Sequence, residues 1–177
     1  MMTDNTESRP VFHSLLELHG RELYAYLWRM LGHREDAEDC LQDTFLRAFR
    51  AFERTNADWN YRAWLYKIAT NVARTHMKRG RRQDLLLESE ADPYQVNPLE
   101  VIAHKEQVSK VRSEMERLSF RQRTAIMMRK YSDLDYDLIA EALDCTPETA
   151  RAHVYQGLKR LRKRLQSTLV AEGSNHA

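Results

Sequence analysis

Residues 135–165 read DYDLIAEALDCTPETARAHVYQGLKRLRKRL. Asp135 is suited to cap a helix over Tyr136–Leu143, on which Ile139, Ala140 and Leu143 share a face. Asp144-Cys145-Thr146 makes a turn. Thr146 caps a second helix, Pro147 takes its first position, where no N–H is needed, and Glu148 sits at the positive end of the dipole. Ala150, Val154, Leu158, Leu161 and Leu165 then form one apolar stripe. At about 100° per residue, Glu148, Ala152, Tyr155, Gln156, Lys159 and Lys163 lie on the opposite face, flanked by Arg151 and His153. Two short helices on a tight turn, the second basic and outward-facing, form a helix-turn-helix that reads DNA. The pattern also suits a helical hairpin with a solvated face. The run from Arg151 to Arg164 carries bases and no acid, which favours DNA, because phosphate contacts supply much of the affinity.

Upstream, Val108, Val111, Met115 and Leu118, then Ile126, Met127 and Tyr131, keep helical spacing. Before them, Gln83 to Ala103 holds Asp84, Glu88, Glu90, Asp92, Pro93, Pro98 and Glu100 without a base. That composition reads as an acidic linker, with a short helical piece at Leu85–Leu87. The N-terminal part holds three more helical stretches. Val11–Leu31 carries Gly20, a point of bending or weakening, and stops at Gly32. A helix from Arg34 to about Phe52 turns Ala37, Leu41, Phe45, Ala48 and Phe52 inward, and a third, Tyr61 to Lys78, turns in Leu65, Ile68, Ala69, Val72 and Ala73. Only 5 Gly and 4 Pro argue against a turn-rich β fold. The expectation is an all-α chain: helical domains at 9–82 and 105–170, joined by a flexible acidic linker at 83–104.

The net charge of +2 says little, but the charges are segregated. Glu35, Asp36, Glu38, Asp39 and Asp43 form an uncompensated acidic face, whereas Arg74, Lys78, Arg79, Arg81 and Arg82 are basic without an acid between them. Such separation suits separate partners. The two cysteines, Cys40 and Cys145, have no second Cys at ligand spacing, and the seven His are scattered. There is no Walker loop, no His-Glu-x-x-His and no Gly-x-Ser-x-Gly. No enzymatic activity, metal or cofactor is expected. No apolar run approaches the roughly 18 residues of a membrane span, and no signal peptide is visible, so the cytoplasm is the expected compartment.

Three motifs resemble one family. Leu118-Ser119-Phe120-Arg121-Gln122-Arg123, Asp135 through Leu143, and Thr149-Ala150-Arg151 are similar to the −35-binding domain of bacterial RNA polymerase sigma factors. Arg34 through Phe49 resembles that family's polymerase-binding helix, and Tyr61 through Asn71 its promoter-melting helix. The compact extracytoplasmic-function (ECF) group fits best.

The resemblance implies three surfaces. Glu38, Asp39, Gln42 and Asp43 would grip a coiled coil of the largest subunit of core RNA polymerase; Asp43 stands where the family often has Glu. Lys67, Asn71, Arg74 and Lys78 recur along one helix stripe, and with Trp59 they suit single-stranded DNA: charge for the backbone, flat rings for bases. The family captures a flipped −10 base in the loop matching Asn56–Asn60. From their own neighbours, Trp59 in turn-like sequence is expected to be exposed and Trp64 to pack in the core. Glu148, Thr149, Arg151, Ala152, His153, Tyr155, Gln156 and Lys159 would face promoter DNA at −35. Ala152 replaces a common Ser, Glu148 a usual Gly, and His153 and Gln156 stand where the family usually has Arg. Gln pairs with adenine better than with guanine, so an unusual −35 preference is expected. An anti-sigma protein is a further partner that the resemblance implies. Two other readings stay open: a helix-turn-helix regulator that is not a sigma factor, and a sigma-like adaptor that has lost promoter recognition.

Overall fold

The computed structural model describes residues 11–56, 58–80 and 108–173. The expected linker, with its piece at Leu85–Leu87, lies outside them. All the described elements are helices: α1 Phe12–Leu31, α2 Arg34–Phe52, α3 Tyr61–Gly80, α4 at 108–116, α5 Phe120–Tyr131, α6 Tyr136–Leu143 and α7 Pro147–Gly173.

Local chemistry sets the boundaries. Gly32 adopts φ 83°, and its N–H closes α1 onto Trp28 O at 2.8 Å. The Ser119 hydroxyl accepts from Gln122 N at 3.3 Å, Asp135 Oδ1 from Leu138 N at 2.8 Å, and Thr146 Oγ1 from Thr149 N at 3.3 Å. Each satisfies an amide that the first turn leaves unpaired. Asp144 ends α6 in the left-handed region, φ 50°, which Asp tolerates better than most residues. α1 runs through Gly20 without a break. A Cβ there would sit in ordinary contact with the Phe45 ring, 3.8 Å away.

Two inward faces differ from the pattern read in the sequence. On α2 the buried residues are Ala37, Cys40, Thr44, Ala48 and Phe52, whereas Leu41 and Phe45 are half-buried. The helix packs on both α1 and α3 and turns its small residues into the cleft between them. Thr44 is tolerated there because its hydroxyl donates to Cys40 O at 2.6 Å. On α3 a second stripe, Ala63, Tyr66 and Thr70, is buried along with Leu65, Ala69, Val72 and Ala73. α3 therefore packs on α1, α2 and α6 together. One core runs from Leu15 and Leu27 through Tyr66 to Met128, Ile139 and Val154, so the two helical groups share an interior. Trp64 is only half-buried, and Tyr131 stands exposed under the Arg29 guanidinium, 5.1 Å from its ring centre.

α7 seats on α5 at Gly157. A Cβ there would lie 2.6 Å from Ile126 Cδ1 and 3.3 Å from Gln122 Cβ, so the missing side chain sets how closely these helices approach.

Candidate functional site

The caps at Asp135 and Thr146 fix α6 and α7 around the Asp144 turn, and the buried Ala150 and Val154 turn the opposite side of α7 outward. Glu148, Thr149, Arg151, Tyr155, Gln156, Lys159 and Lys163 are exposed there; Tyr155 is 66% exposed. Ala152 and His153 are half-buried. Burial, helped by the Arg121 charge, holds the His153 imidazole below its ordinary pKa, which favours a neutral ring. The Glu148 carboxyl is held low by its own backbone N–H and by the Thr146 hydroxyl, so it stays ionised at the head of α7. Arg151 lies 5.0 Å from the Tyr136 ring centre, a cation–π contact that leaves its guanidinium at the surface. Arg160 is turned back to Gln122 Oε1 at 3.1 Å.

The second group lies where α3 begins. Asn60 Oδ1 accepts from Ala63 N at 3.1 Å, the Trp59 N–H bonds Asn56 O at 3.2 Å, and Tyr61 Oη donates to the same carbonyl at 2.8 Å. These bonds hold the loop so that Trp59 is 41% exposed, its ring edge-on to Trp64 at 6.0 Å. Beside it opens a cleft of about 710 Å³, lined by Trp59, Asn60 and Arg62 and, from α1, by Leu15, Leu18 and His19. The α1 wall was not read from the sequence, because the helix lies some forty residues away along the chain. Further along α3, Asn71 and Lys78 are exposed, Lys67 Nζ bonds Asp144 Oδ1 at 2.6 Å, and the Arg74 guanidinium lies 5.7 Å from the Phe120 ring centre. The stripe is thus present, but two of its members are engaged by the C-terminal helices.

On α2 three of the five acids, Asp36, Glu38 and Asp43, have partners, which corrects in part the reading of an uncompensated face. Glu38 accepts from Arg34 at 2.8 Å and Asp43 from Arg47 at 3.0 and 2.8 Å, each one turn away, while Asp36 meets His76 at 3.1 Å. Asp39 and Gln42 are exposed. Below them the same face continues with Leu46, 56% exposed, and Phe49, 62% exposed, the latter edge-on to Phe12. This apolar continuation was overlooked. Its signal was the i+4 and i+7 spacing from Gln42. Cys40 lies behind the acids, its thiol pushed up to about 11 by burial and by Asp36, Asp43 and Asp39. Among the described residues no cluster could hold a metal ion, and no helix is long and apolar enough to cross a membrane.

One charged network was invisible in the sequence. Glu22 of α1 accepts from Arg62 Nη2 at 2.7 Å and Nε at 3.1 Å, and lies 2.7 Å from His19 Nδ1. Arg62 Nη2 also donates to Ser132 O at 2.8 Å, beyond α5. Burial alone would raise the Glu22 pKa. The bonds from His19 and Arg62, with the Arg62 charge, outweigh it and hold the carboxyl at about 2.

Residues 15–83 match the family described as Sigma-70 region 2, and residues 109–161 that described as Sigma-70, region 4. The ECF RNA polymerase sigma-E factor of Haemophilus influenzae is 28% identical over 170 residues, with 89% of each chain covered. The ECF RNA polymerase sigma factor SigW of Bacillus subtilis is 24% identical over 167 residues, covering 88% of this chain and 89% of that one. Among solved structures, the sigma factor RpoE in complex with the anti-sigma factor NepR from Bartonella quintana superposes with TM-score 0.68 at 26% identity, over 88% of this chain and 96% of that one. CnrH in complex with the cytosolic domain of CnrY shares the fold, with TM-score 0.67 at 20% identity over 88% of each chain.

The Glu22 network carries a pH signature. A carboxyl at about 2 when folded and near 4.5 when unfolded contributes stability that is fully present above 4.5 and lost as pH falls towards 2. Urea unfolding of the full chain between pH 6 and 2 should show that loss. Glu22→Gln should be less stable at pH 6 and show a flatter acid limb. A variant whose acid limb runs parallel to the parent's would contradict the network.

Proposed function

The chain belongs to the ECF group of bacterial sigma-70 factors, and on that premise we propose how its surfaces divide the work of an alternative sigma factor. Such a factor binds core RNA polymerase and directs it to promoters. Residues 9–82 serve as the polymerase- and −10-binding unit, 83–104 as the linker, and 105–170 as the −35-binding unit. The observation that carries this reading is the presence in one chain of three chemically different outer faces. They are acidic-to-apolar on α2, aromatic and basic on the Trp59 loop and α3, and basic and polar on α7.

On α2, Glu38, Asp39, Gln42 and Asp43 meet the coiled coil of the largest polymerase subunit, and Leu46 with Phe49 extends the contact. Exposed apolar side chains rimmed by charge are the composition of a protein-binding face. The local Arg partners of Glu38 and Asp43 do not oppose this role. Exposed i,i+4 pairs are worth only about 0.3–0.5 kcal/mol and are readily exchanged for an intermolecular one. Trp59 and Asn56 hold the flipped −10 base at the cleft beside α1, with Lys67, Asn71, Arg74 and Lys78 along the strand. Glu148, Thr149, Arg151, Ala152, His153, Tyr155, Gln156 and Lys159 face the −35 duplex. The protein works by binding, in the cytoplasm where its polymerase is, and an anti-sigma protein is its expected restraint, as in the complex with NepR described above. A half-buried neutral His153 suits direct reading less than an Arg would, and on that point the adaptor reading keeps a foothold.

Run-off transcription with purified core polymerase decides between the readings: a sigma factor initiates alone, whereas a regulator needs another sigma factor and an adaptor does neither. Asp43→Arg should weaken core binding at least tenfold, about 1.4 kcal/mol. Unchanged affinity would remove α2 from the interface. Trp59→Ala should bind promoter duplex normally but lose open complexes, at about 1–3 kcal/mol for one stacked base; normal melting would free Trp59 of the role. Selection of duplex oligonucleotides on the full chain should enrich a −35 sequence different from the common ECF consensus, with adenine opposite Gln156. Recovery of the common consensus would refute that specificity.

A further inference from the structure

We propose that Tyr136 is a positioning residue for Arg151: its ring seats the Arg151 guanidinium in the free chain and thereby sharpens the choice of −35 base that Arg151 makes; this rests on the reading of α7 given above. Tyr136 is the first residue of α6, directly after the Asp135 cap, and its half-buried ring packs against the core. It stands where α5, α6 and α7 meet. The Arg151 guanidinium of α7 lies 5.0 Å from the ring centre, and the Arg129 guanidinium of α5 lies 5.4 Å from it. Arg129 is itself tied down, because its Nη1 donates to Leu134 O and to Asp133 Oδ1, each at 3.3 Å. The ring is thus held by the core and by α5, and α7 lays its arginine on a fixed seat.

The seat leaves the reading edge free. Arg151 makes no hydrogen bond or ion pair among the described residues. The obvious competitor is Glu148, one turn earlier, but its carboxyl is taken by its own backbone N–H and by the Thr146 hydroxyl. An ion pair to Glu148 would use N–H donors of Arg151. A ring contact spends none of them and leaves the planar fork of donors for a base edge. An unseated arginine samples many rotamers, and ordering it costs part of the binding. Seating it beforehand lowers that cost for one orientation, so a duplex with the matching base gains over the others. Arg151 is also the one arginine among the residues assigned to the −35 duplex, so discrimination rests heavily on its orientation.

The test uses the full chain with two readouts. One needs no DNA: NMR relaxation of the Arg151 Nε–H, identified by its loss in Arg151→Gln. The other is the affinity ratio between the fluorescent duplex enriched by the selection described above and a duplex with its −35 bases shuffled. Tyr136→Leu keeps an apolar contact with the core and removes the ring, whereas Tyr136→Phe keeps the ring and removes the hydroxyl. A trifluorophenylalanine incorporated at position 136 keeps the ring's shape and weakens its negative face, so it carries the test if Tyr136→Leu does not fold. The Arg151 Nε–H should be ordered in the parent and in Tyr136→Phe, and mobile in Tyr136→Leu and in the fluorinated chain. An exposed cation–π contact corresponds to about a two- to fivefold effect, so the affinity ratio should fall by that factor in the last two and stay unchanged in Tyr136→Phe. The salt slope should not change, because no phosphate contact is lost. Adding Tyr136→Leu to Arg151→Gln should lower the ratio no further. An Arg151 equally mobile in the parent and in Tyr136→Leu, an additive loss in the double variant, or a Tyr136→Phe that loses as much as Tyr136→Leu would overturn the seat; the last outcome would make the hydroxyl a DNA contact instead. The expected NMR pattern with a ratio that Arg151→Gln leaves unchanged would uphold the seat and overturn the assignment of Arg151 to base reading.

Discussion

Helix α3 must satisfy three neighbours at once. Leu65, Ala69 and Ala73 are fully buried, and so are Ala63 and Tyr66 on the other stripe. A helix surrounded by α1, α2 and α6 has little surface left for function. What remains is the narrow polar row of Lys67, Asn71, Arg74 and Lys78. Because those positions cannot move without disturbing the interior, their spacing along the helix is rigid, which is what a surface tracking a nucleic-acid backbone needs. The same geometry places that row beside α6 and the Asp144 turn. The proposed DNA surface and the packing surface are neighbours on one helix.

The polar groups near α3 take different roles according to depth. Tyr26 is fully buried, its phenol pushed up to about 12 by burial, and its hydroxyl lies 2.9 Å from Thr70 Oγ1. It stays neutral and acts as a packed ring with a satisfied polar tip. Glu22, less deeply placed, is ionised and joins α1, α3 and the segment after α5 through Arg62. Lys67 and Asp144 lie nearer the surface, where an ion pair is weak and exchangeable. The gradient runs from permanent structure in the core to contacts that a ligand can displace at the rim.

Much of the candidate site was legible because helices announce themselves locally. The caps at Asp135 and Thr146, the stop at Gly32 and the outward face of α7 all follow from residues within a turn of one another. The burial of Tyr66, the α1 wall of the Trp59 cleft and the pairing of Arg62 with Glu22 were not legible. Each joins residues some forty positions apart, and periodicity carries no information about which helix lies opposite. Leu41 and Phe45 were read as inward for the same reason: helical spacing defines a stripe but not the cleft it enters, and the cleft selected Cys40 and Thr44.

The amino-acid sequence by itself determined the helices, their ends, the order of the three surfaces and the family. These depend on side chains acting on their own backbone within a few residues, and on motifs in linear order. Only the tertiary structure decided that the two helical groups share one core, that Glu38 and Asp43 of α2 pair with arginines one turn away, and that two basic residues of the α3 stripe meet the C-terminal helices, Lys67 at Asp144 and Arg74 at Phe120. Those outcomes depend on which surfaces meet. Burial of apolar area is non-directional, so many pairings satisfy a given stripe, and only the complete set of neighbours selects one.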